Sequence, residues 1–108
     1  MKRLLPPVLA VLLLAACVGP KPEVRSASVA PPQDGKAIVT VVVVNRGGGD
    51  GQIEVRITLR DATGGVVARD EKTTVLKERE TITVVLEVQV PADSRELKVD
   101  AEVTYPPD

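Results

Sequence analysis

The chain has a single cysteine, Cys17, and the residues before it indicate which role its thiol has. A thiol is a nucleophile, a metal ligand or a site for covalent modification. Lys2 and Arg3 give the chain a positive start, residues 4–14 form a short apolar stretch, and Leu-Ala-Ala at 14–16 leads into the cysteine. This is the layout of a secretory signal peptide, and the stretch is shorter than the about 20 residues that a membrane-spanning helix needs. The segment therefore predicts export from the cytoplasm.

The end of this segment, Leu14-Ala15-Ala16-Cys17, resembles the lipobox of bacterial lipoproteins. The resemblance implies cleavage before Cys17, a diacylglyceryl group on its thiol and often an acyl chain on the new amino group. Val18 stands where lipoproteins kept at the inner membrane of enteric bacteria commonly have Asp, which favours the outer membrane in a host with two membranes. The alternatives are an ordinary signal peptide with a chance cysteine and a short apolar anchor.

Two groups of carboxylates further along the chain invite a catalytic interpretation: Glu78 with Glu80, and Glu96 with Asp100 and Glu102. Paired carboxyl groups hydrolyse glycosides when burial raises the pKa of one of them. These residues alternate with Lys and Arg on strand faces that we expect to be solvated. The pattern therefore favours surface charge over a catalytic pair.

Acidic residues in or near turns could bind Ca²⁺ through their oxygens. The residues concerned are Asp50, Asp61, Asp70, Glu71 and Asp93. Their spacing matches no EF-hand loop, and Asp residues in turns usually bond to their own backbone.

The glycine-rich run at 47–51 feeds another strand and lacks the Lys-Ser/Thr ending of a phosphate loop, so it predicts a hairpin. No metal or cofactor is expected beyond the lipid on Cys17.

The composition excludes several classes of function. The chain has no His, Trp or Phe and one Tyr, which removes the commonest general base and most aromatic platforms for sugars and bases. Lys and Arg number 14 against 15 Asp and Glu, so there is no basic excess to hold nucleic acid. We expect neither a nucleic-acid partner nor a small-molecule substrate.

Alternating apolar and polar residues predict short strands and no helix. Turn residues rich in Gly, Pro, Asp and Ser separate the strands, and prolines on both sides of the first one favour an edge position. The fourth segment is patchy and predicts one irregular strand or two short ones. The fold class is therefore all-β, a small antiparallel sandwich of about six or seven strands. The predicted strands are 24–29, 37–44, 52–61, 66–76, 80–90 and 96–105.

Residues 22–47, from Pro-Glu-Val to the Val-rich strand that ends in Asn45-Arg46-Gly47, resemble the opening of CARDB-type bacterial domains. The stretch at 59–67 resembles the strand and turn of FxLYD-type relatives, and residues 76–81 lack the Pro-Gly that those domains often have there. The resemblance implies an immunoglobulin-like domain of a kind that serves as spacer, adhesive module or interaction module. It also implies that the Asn45 amide ties its strand to the neighbouring turn. The expected division is a signal peptide at 1–16, a lipidated extended tether at 17–23 and the domain at 24–108.

Four apolar residues are expected on the outer face of the sandwich: Ile38, Val42, Val44 and Val85. If Val39, Val41 and Val43 point into the core, their neighbours along the strand point outward, where a half-buried sheet is normally polar. Such a patch often marks a surface for a partner. The alternatives are that the tether, a loop or a bulge covers it, or that the valines are scattered and carry no function.

Together these patterns predict a lipid-anchored protein outside the cytoplasm that is not an enzyme and that binds another component of the cell envelope, with a protein as the expected partner. A surface adhesin or glycan-binding module is the second interpretation. An envelope hydrolase is less favoured because Ser26, Ser28 and Ser94 lie in no nucleophile motif. A packed cap without a fixed partner is the remaining alternative.

Overall fold

The structure is a computed structural model, and it describes residues 19–107. The predicted signal peptide and Cys17 therefore lie outside the described residues. Six antiparallel strands form the domain, without an intervening helix in the described range. The strands are β1 (Pro22–Val29), β2 (Lys36–Asn45), β3 (Gly51–Arg60), β4 (Val66–Leu76), β5 (Thr81–Gln89) and β6 (Lys98–Thr104).

The strands form two three-stranded sheets that pack face to face. One sheet has the order β1-β2-β5, and the other has the order β4-β3-β6. The central strands β2 and β3 supply most of the fully buried side chains, because each is covered by the opposite sheet and flanked by a strand on both sides. The buried core consists of Ala37, Val39, Val41, Val43, Ile53, Val55, Ile57, Leu59, Leu76, Val84, Leu86, Val88 and Val90.

The predicted all-β sandwich is confirmed, with six strands and an immunoglobulin-like arrangement. The two sheets correspond to strands A, B and E and to strands C′, C and F of immunoglobulin-like domains. In those domains a further strand, G, lies beside F. None of the residues from 19 to 107 forms a counterpart of strand G, so β6 is an edge strand.

The six predicted strands are all present, with ends that differ by up to two residues. The first is an edge strand, as the flanking prolines predict, and it begins at Pro22, so Pro22 and Glu23 of the expected tether belong to it. The patchy fourth segment forms one strand, β4, with an irregular register where Leu59 and Arg60 of β3 meet it. Nothing formed by residues 19–107 is a helix long and apolar enough to cross a membrane.

Candidate functional site

The outer face of the β1-β2-β5 sheet has no charged side chain at its centre. The strand register brings Val42 of β2 between Ser26 of β1 and Thr83 of β5, and Thr40 between Ser28 and Val85. Charged residues surround this centre: the ion pair of Lys36 and Glu87 (3.3 Å) lies toward one end, and Arg25 is exposed in the bulge of β1 beside Ser26. We call the uncharged centre the Ser/Thr/Val face; its residues are Ser26, Ser28, Ile38, Thr40, Val42, Thr81, Thr83 and Val85.

Three of the four predicted patch residues contribute to this face. Ile38 is 40% exposed and Val85 is 48% exposed, and Val42 is half-buried. Val44 is only 7% exposed, so the expectation that it forms part of an accessible patch is corrected. In the register Val44 lies between Glu23 of β1 and Thr81 of β5, beside the buried end of β2, and its neighbours cover it.

The apolar residues of the Ser/Thr/Val face are separated by threonines. Val85 lies directly opposite Thr40, and Val42 lies directly opposite Thr83. The two valines are therefore diagonal neighbours, about 7–8 Å apart along the sheet, rather than a direct pair. The face presents methyl groups and hydroxyl groups in alternation.

The outer face of the β4-β3-β6 sheet is, in contrast, densely charged. Arg56 lies 2.9 Å from Glu54 on its own strand and 3.7 Å from Glu71 of β4. Arg60 pairs with Asp100 of β6 at 2.9 Å. The two outer faces of one small sandwich thus differ sharply in charge, and the Ser/Thr/Val face is the one that association could cover without removing charges from water.

The carboxyl groups of Glu54 and Glu71 lie close together on this charged face. Glu54 is only 4% exposed. Its hydrogen bond with Glu71, followed by its negative charge, raises the pKa of Glu71 above the ordinary value, although Arg56 opposes the shift. No local sequence pattern indicates this pair, because the two residues are 17 positions apart and meet only through the register of β3 and β4.

Asn45 organises the end of the sandwich at which the described chain begins. Its Oδ1 atom accepts hydrogen bonds from the backbone N–H groups of Lys21 (3.0 Å) and Gly47 (2.8 Å). Its Nδ2 atom donates to the carbonyl oxygens of Gly49 and Lys77, both at 2.9 Å. Asn45 is 2% exposed, and these four bonds join the entering segment to two turns. The predicted role of its amide in tying strand to turn is confirmed and extends further than one turn.

The glycine-rich run at 47–51 forms the turn between β2 and β3, as predicted, and the entering segment lies on it. A side chain at Gly47 would collide with the carbonyl oxygen of Gly19, and one at Gly49 would lie 2.8 Å from Gly19 Cα. Gly51 leaves room for Pro20 and for the ring of Tyr105. The glycines thus let one backbone approach another, which explains the run without a phosphate.

The acidic residues of the turns bond to nearby backbone groups. Asp61 accepts the Thr63 hydroxyl at 2.6 Å and the N–H groups of Thr63 and Gly65 at 3.0 Å, and these bonds lower its pKa, the hydroxyl most. Asp50 accepts the N–H of Glu78 at 2.6 Å. Glu80, one of the suggested catalytic carboxylates, accepts the N–H of Lys77 at 3.0 Å. In the described part of the chain no three acidic, Cys or His residues come together as a metal would require.

Two open depressions lie at the end of the sandwich away from Asn45. They have volumes of about 550 and 530 Å³ and share the loop before β6, including Arg95, Glu96 and Leu97. Pro31 lines one, and Asp93 lines the other. The only tyrosine, Tyr105, lies at the opposite end beside Gly19, so neither depression has an aromatic wall.

No protein-family model and no curated protein sequence matches this chain. Among solved structures, the chain is similar to a β-glucuronidase from glycoside hydrolase family 2, with a TM-score of 0.61 and 16% identity over 73% of this chain and 9% of that one. It is also similar to DesR, a β-glucosidase from Streptomyces venezuelae in complex with D-glucose, with a TM-score of 0.51 and 24% identity over 67% of this chain. The chain spans about a tenth of the length of these enzymes, and the likeness concerns a small β domain and its fold.

Proposed function

We propose that this chain is a lipid-anchored protein outside the cytoplasm whose immunoglobulin-like sandwich binds a protein of the cell envelope. The observation that carries the binding proposal is the Ser/Thr/Val face, where Ile38 and Val85 are exposed and no charge stands at the centre. A surface of this kind loses little hydration free energy when a partner covers it, and its exposed methyl groups favour burial.

The anchor rests on the resemblance of residues 14–17 to a lipobox, and the structure adds a constraint to it. Gly19 already packs against Tyr105 and the glycine-rich turn. Two residues span at most about 7 Å, so a lipid on Cys17 would lie close to the Asn45 end. A single acyl chain holds a protein only marginally, and two or three chains hold it durably. In this proposal the link between the lipid and the domain is short, so the domain stays close to the membrane surface.

We propose a binding role rather than a catalytic one. Two of the five carboxylates considered as acid and base have partners of their own: Glu80 accepts a backbone N–H group, and Asp100 pairs with Arg60. The similarity to two glycosidases extends over a tenth of each enzyme, which is the size of an accessory β domain. A glycan-binding module remains the second interpretation of such a domain. The open depressions lack an aromatic wall, which weighs against that interpretation.

Photo-crosslinking in the native host tests the proposal directly. A photoreactive amino acid at Val42 would report on the Ser/Thr/Val face, and one at Thr58 would report on the charged face of the other sheet. We expect a discrete protein adduct from position 42 and a weaker or different pattern from position 58. Labelling with radioactive palmitate, compared between the natural chain and Cys17→Ser, shows whether the protein reached its membrane.

The outcomes separate the two halves of the proposal. Palmitate label in the natural chain but not in Cys17→Ser supports the anchor. A labelled protein without any adduct from position 42 would contradict the binding face. Adducts of equal yield from both positions would also contradict it, because they would show collision rather than a defined surface.

A further inference from the structure

The outer edge of β6 pairs with no strand formed by residues 19–107, and neither a bulge nor a proline interrupts it. Free edges of natural sheets are normally blocked by prolines, bulges or charges. β1 has a bulge between Val24 and Ser26, and on the β5 edge the Nζ atom of Lys72 donates to the carbonyl oxygen of Val85 (3.3 Å). β6 pairs with β3 in unbroken register from Lys98 to Thr104, with no bulge and no proline. The devices that remain on its second edge are the charges of Lys98, Asp100 and Glu102, which any added strand must match.

The core beneath this edge is also incompletely covered. The residues that point inward from β1 and β6 are only half-buried, whereas their counterparts on β2 and β3 are fully buried. A further strand beside β6, at the position of strand G in immunoglobulin-like domains, would cover them. The half-buried residues on this side are Val24, Ala27, Val29, Val99, Ala101 and Val103.

We propose that the occupant is a second copy of this chain, whose β6 pairs antiparallel with the first around a two-fold axis at Asp100. In this register Lys98 of each copy lies opposite Glu102 of the other. The axis produces this pair of opposite charges twice, on the outer face where both residues are exposed. On the inner face Val99 of each copy lies opposite Ala101 of the other. Opposite charges placed directly across a sheet are stabilising, and like charges are destabilising.

The charge pattern of β6 selects this register over its neighbours. Shifting the axis to Ala101 would place Asp100 opposite Glu102 twice. Shifting it to Val99 would place Lys98 opposite Asp100 twice, but it would also place Glu96 opposite Glu102 twice, so that attraction and repulsion are matched. The chosen register brings only the two Asp100 residues together, and each of them is already neutralised by Arg60 at 2.9 Å.

The pairing would join two three-stranded sheets into one sheet of six strands, β4-β3-β6-β6-β3-β4. The two β1 strands would approach each other in the second layer, and the half-buried residues of both copies would share one core. Antiparallel pairing also places the two Gly19 ends at opposite ends of the dimer. A dimer held by two lipids would therefore lie along the membrane.

Capture between differently tagged copies of the full chain in detergent tests the dimer without relying on particle size. We expect the natural chain to capture itself. Lys98→Glu and Glu102→Lys each reverse one partner of both ion pairs, so each variant alone should lose roughly tenfold in self-capture. Mixing the two variants restores opposite charges at both pairs, and we expect capture between them to recover.

Arg69→Glu is the matched control, because it reverses an exposed charge on β4 at the far side of the same sheet. It should capture itself as the natural chain does. Far-UV circular dichroism verifies that every variant is folded. Failure of the natural chain to capture itself would overturn the proposal, and so would equal capture by all variants or a mixture that does not recover. The readout involves no envelope protein, so its failure leaves the proposed function of the Ser/Thr/Val face standing.

Discussion

A single buried amide, Asn45, holds together the end of the domain nearest the predicted lipid. Its two atoms satisfy two N–H groups and two carbonyl oxygens that belong to the entering segment and to the turns after β2 and β4. Asn45→Ala would leave these groups without that partner in a buried place. We expect a loss of about 2–4 kcal/mol in the free energy of unfolding, measured with urea. Gln52→Ala, which removes an exposed amide, serves as the control and should cost under about 0.5 kcal/mol; equal losses would contradict the role of Asn45.

The pair of Glu54 and Glu71 predicts a pH dependence. Because the pKa of Glu71 is raised in the folded state, its contribution to stability is favourable below the unfolded pKa and is lost as the pH rises through the folded pKa. Above its raised pKa the ionised side chain of Glu71 is repelled by Glu54, and Glu71→Gln removes that repulsion. We expect the variant to melt at a higher temperature than the natural chain at pH 7, with the difference shrinking toward pH 3. A variant that is less stable at pH 7 would show that the contact of Glu71 with Arg56 dominates.

Asp61 shows why some residue roles are readable from sequence and others are not. A turn aspartate two positions before Thr63 bonds within its own turn, so its role follows from local spacing, and the structure confirms the backbone bonds. Glu54 and Glu71 lie on different strands, and only the pairing register brings them together. Period two alone predicts that Val44 is accessible, but its burial depends on the neighbouring strands on both sides of it.

The turn between β2 and β3 has a packing role of its own, because its glycines form the surface on which residues 19–21 lie. Gly49→Ala would place a methyl group 2.8 Å from the Cα atom of Gly19, where only backbone can give way. We expect the variant to lose stability and to expose the entering segment to proteases. Gly48→Ala is the matched control, since a side chain there meets nothing within 4 Å. Equal protease sensitivity of the two variants would contradict the packing role of the turn.

The strands themselves were predictable to within two residues wherever one face is buried. β2, β3 and β5 alternate between buried and accessible side chains, and this period of two is visible in the sequence. β4 was ambiguous because most of its side chains are at least partly exposed, so no burial pattern marks its two faces. The open edge of β6 could not be predicted, because it depends on the order of strands in the sheet rather than on any strand by itself.

The whole molecule combines a short link to the proposed lipid with strands of about 30 Å that lead away from it. In a single anchored copy, the glycine-rich turn lies near the membrane and the loop before β6 lies far from it. In the proposed dimer the second copy runs the opposite way, so its lipid brings the loop of the first copy to the membrane as well.

Fluorescent labels in vesicles that carry quenchers on their headgroups distinguish these arrangements. The labels are attached at position 48, where a side chain has open space, and at the exposed position 92. For the lipidated natural chain we expect quenching at both positions, because both ends of an antiparallel dimer approach the bilayer. For Lys98→Glu, whose self-pairing is weakened, quenching should persist at position 48 and fall at position 92, because only one end is then tied down.

Loss of quenching at position 48 in either protein would contradict the short link, since two residues cannot separate Gly19 from the lipid by more than about 7 Å. Quenching confined to position 48 in the natural chain would instead show a single upright copy.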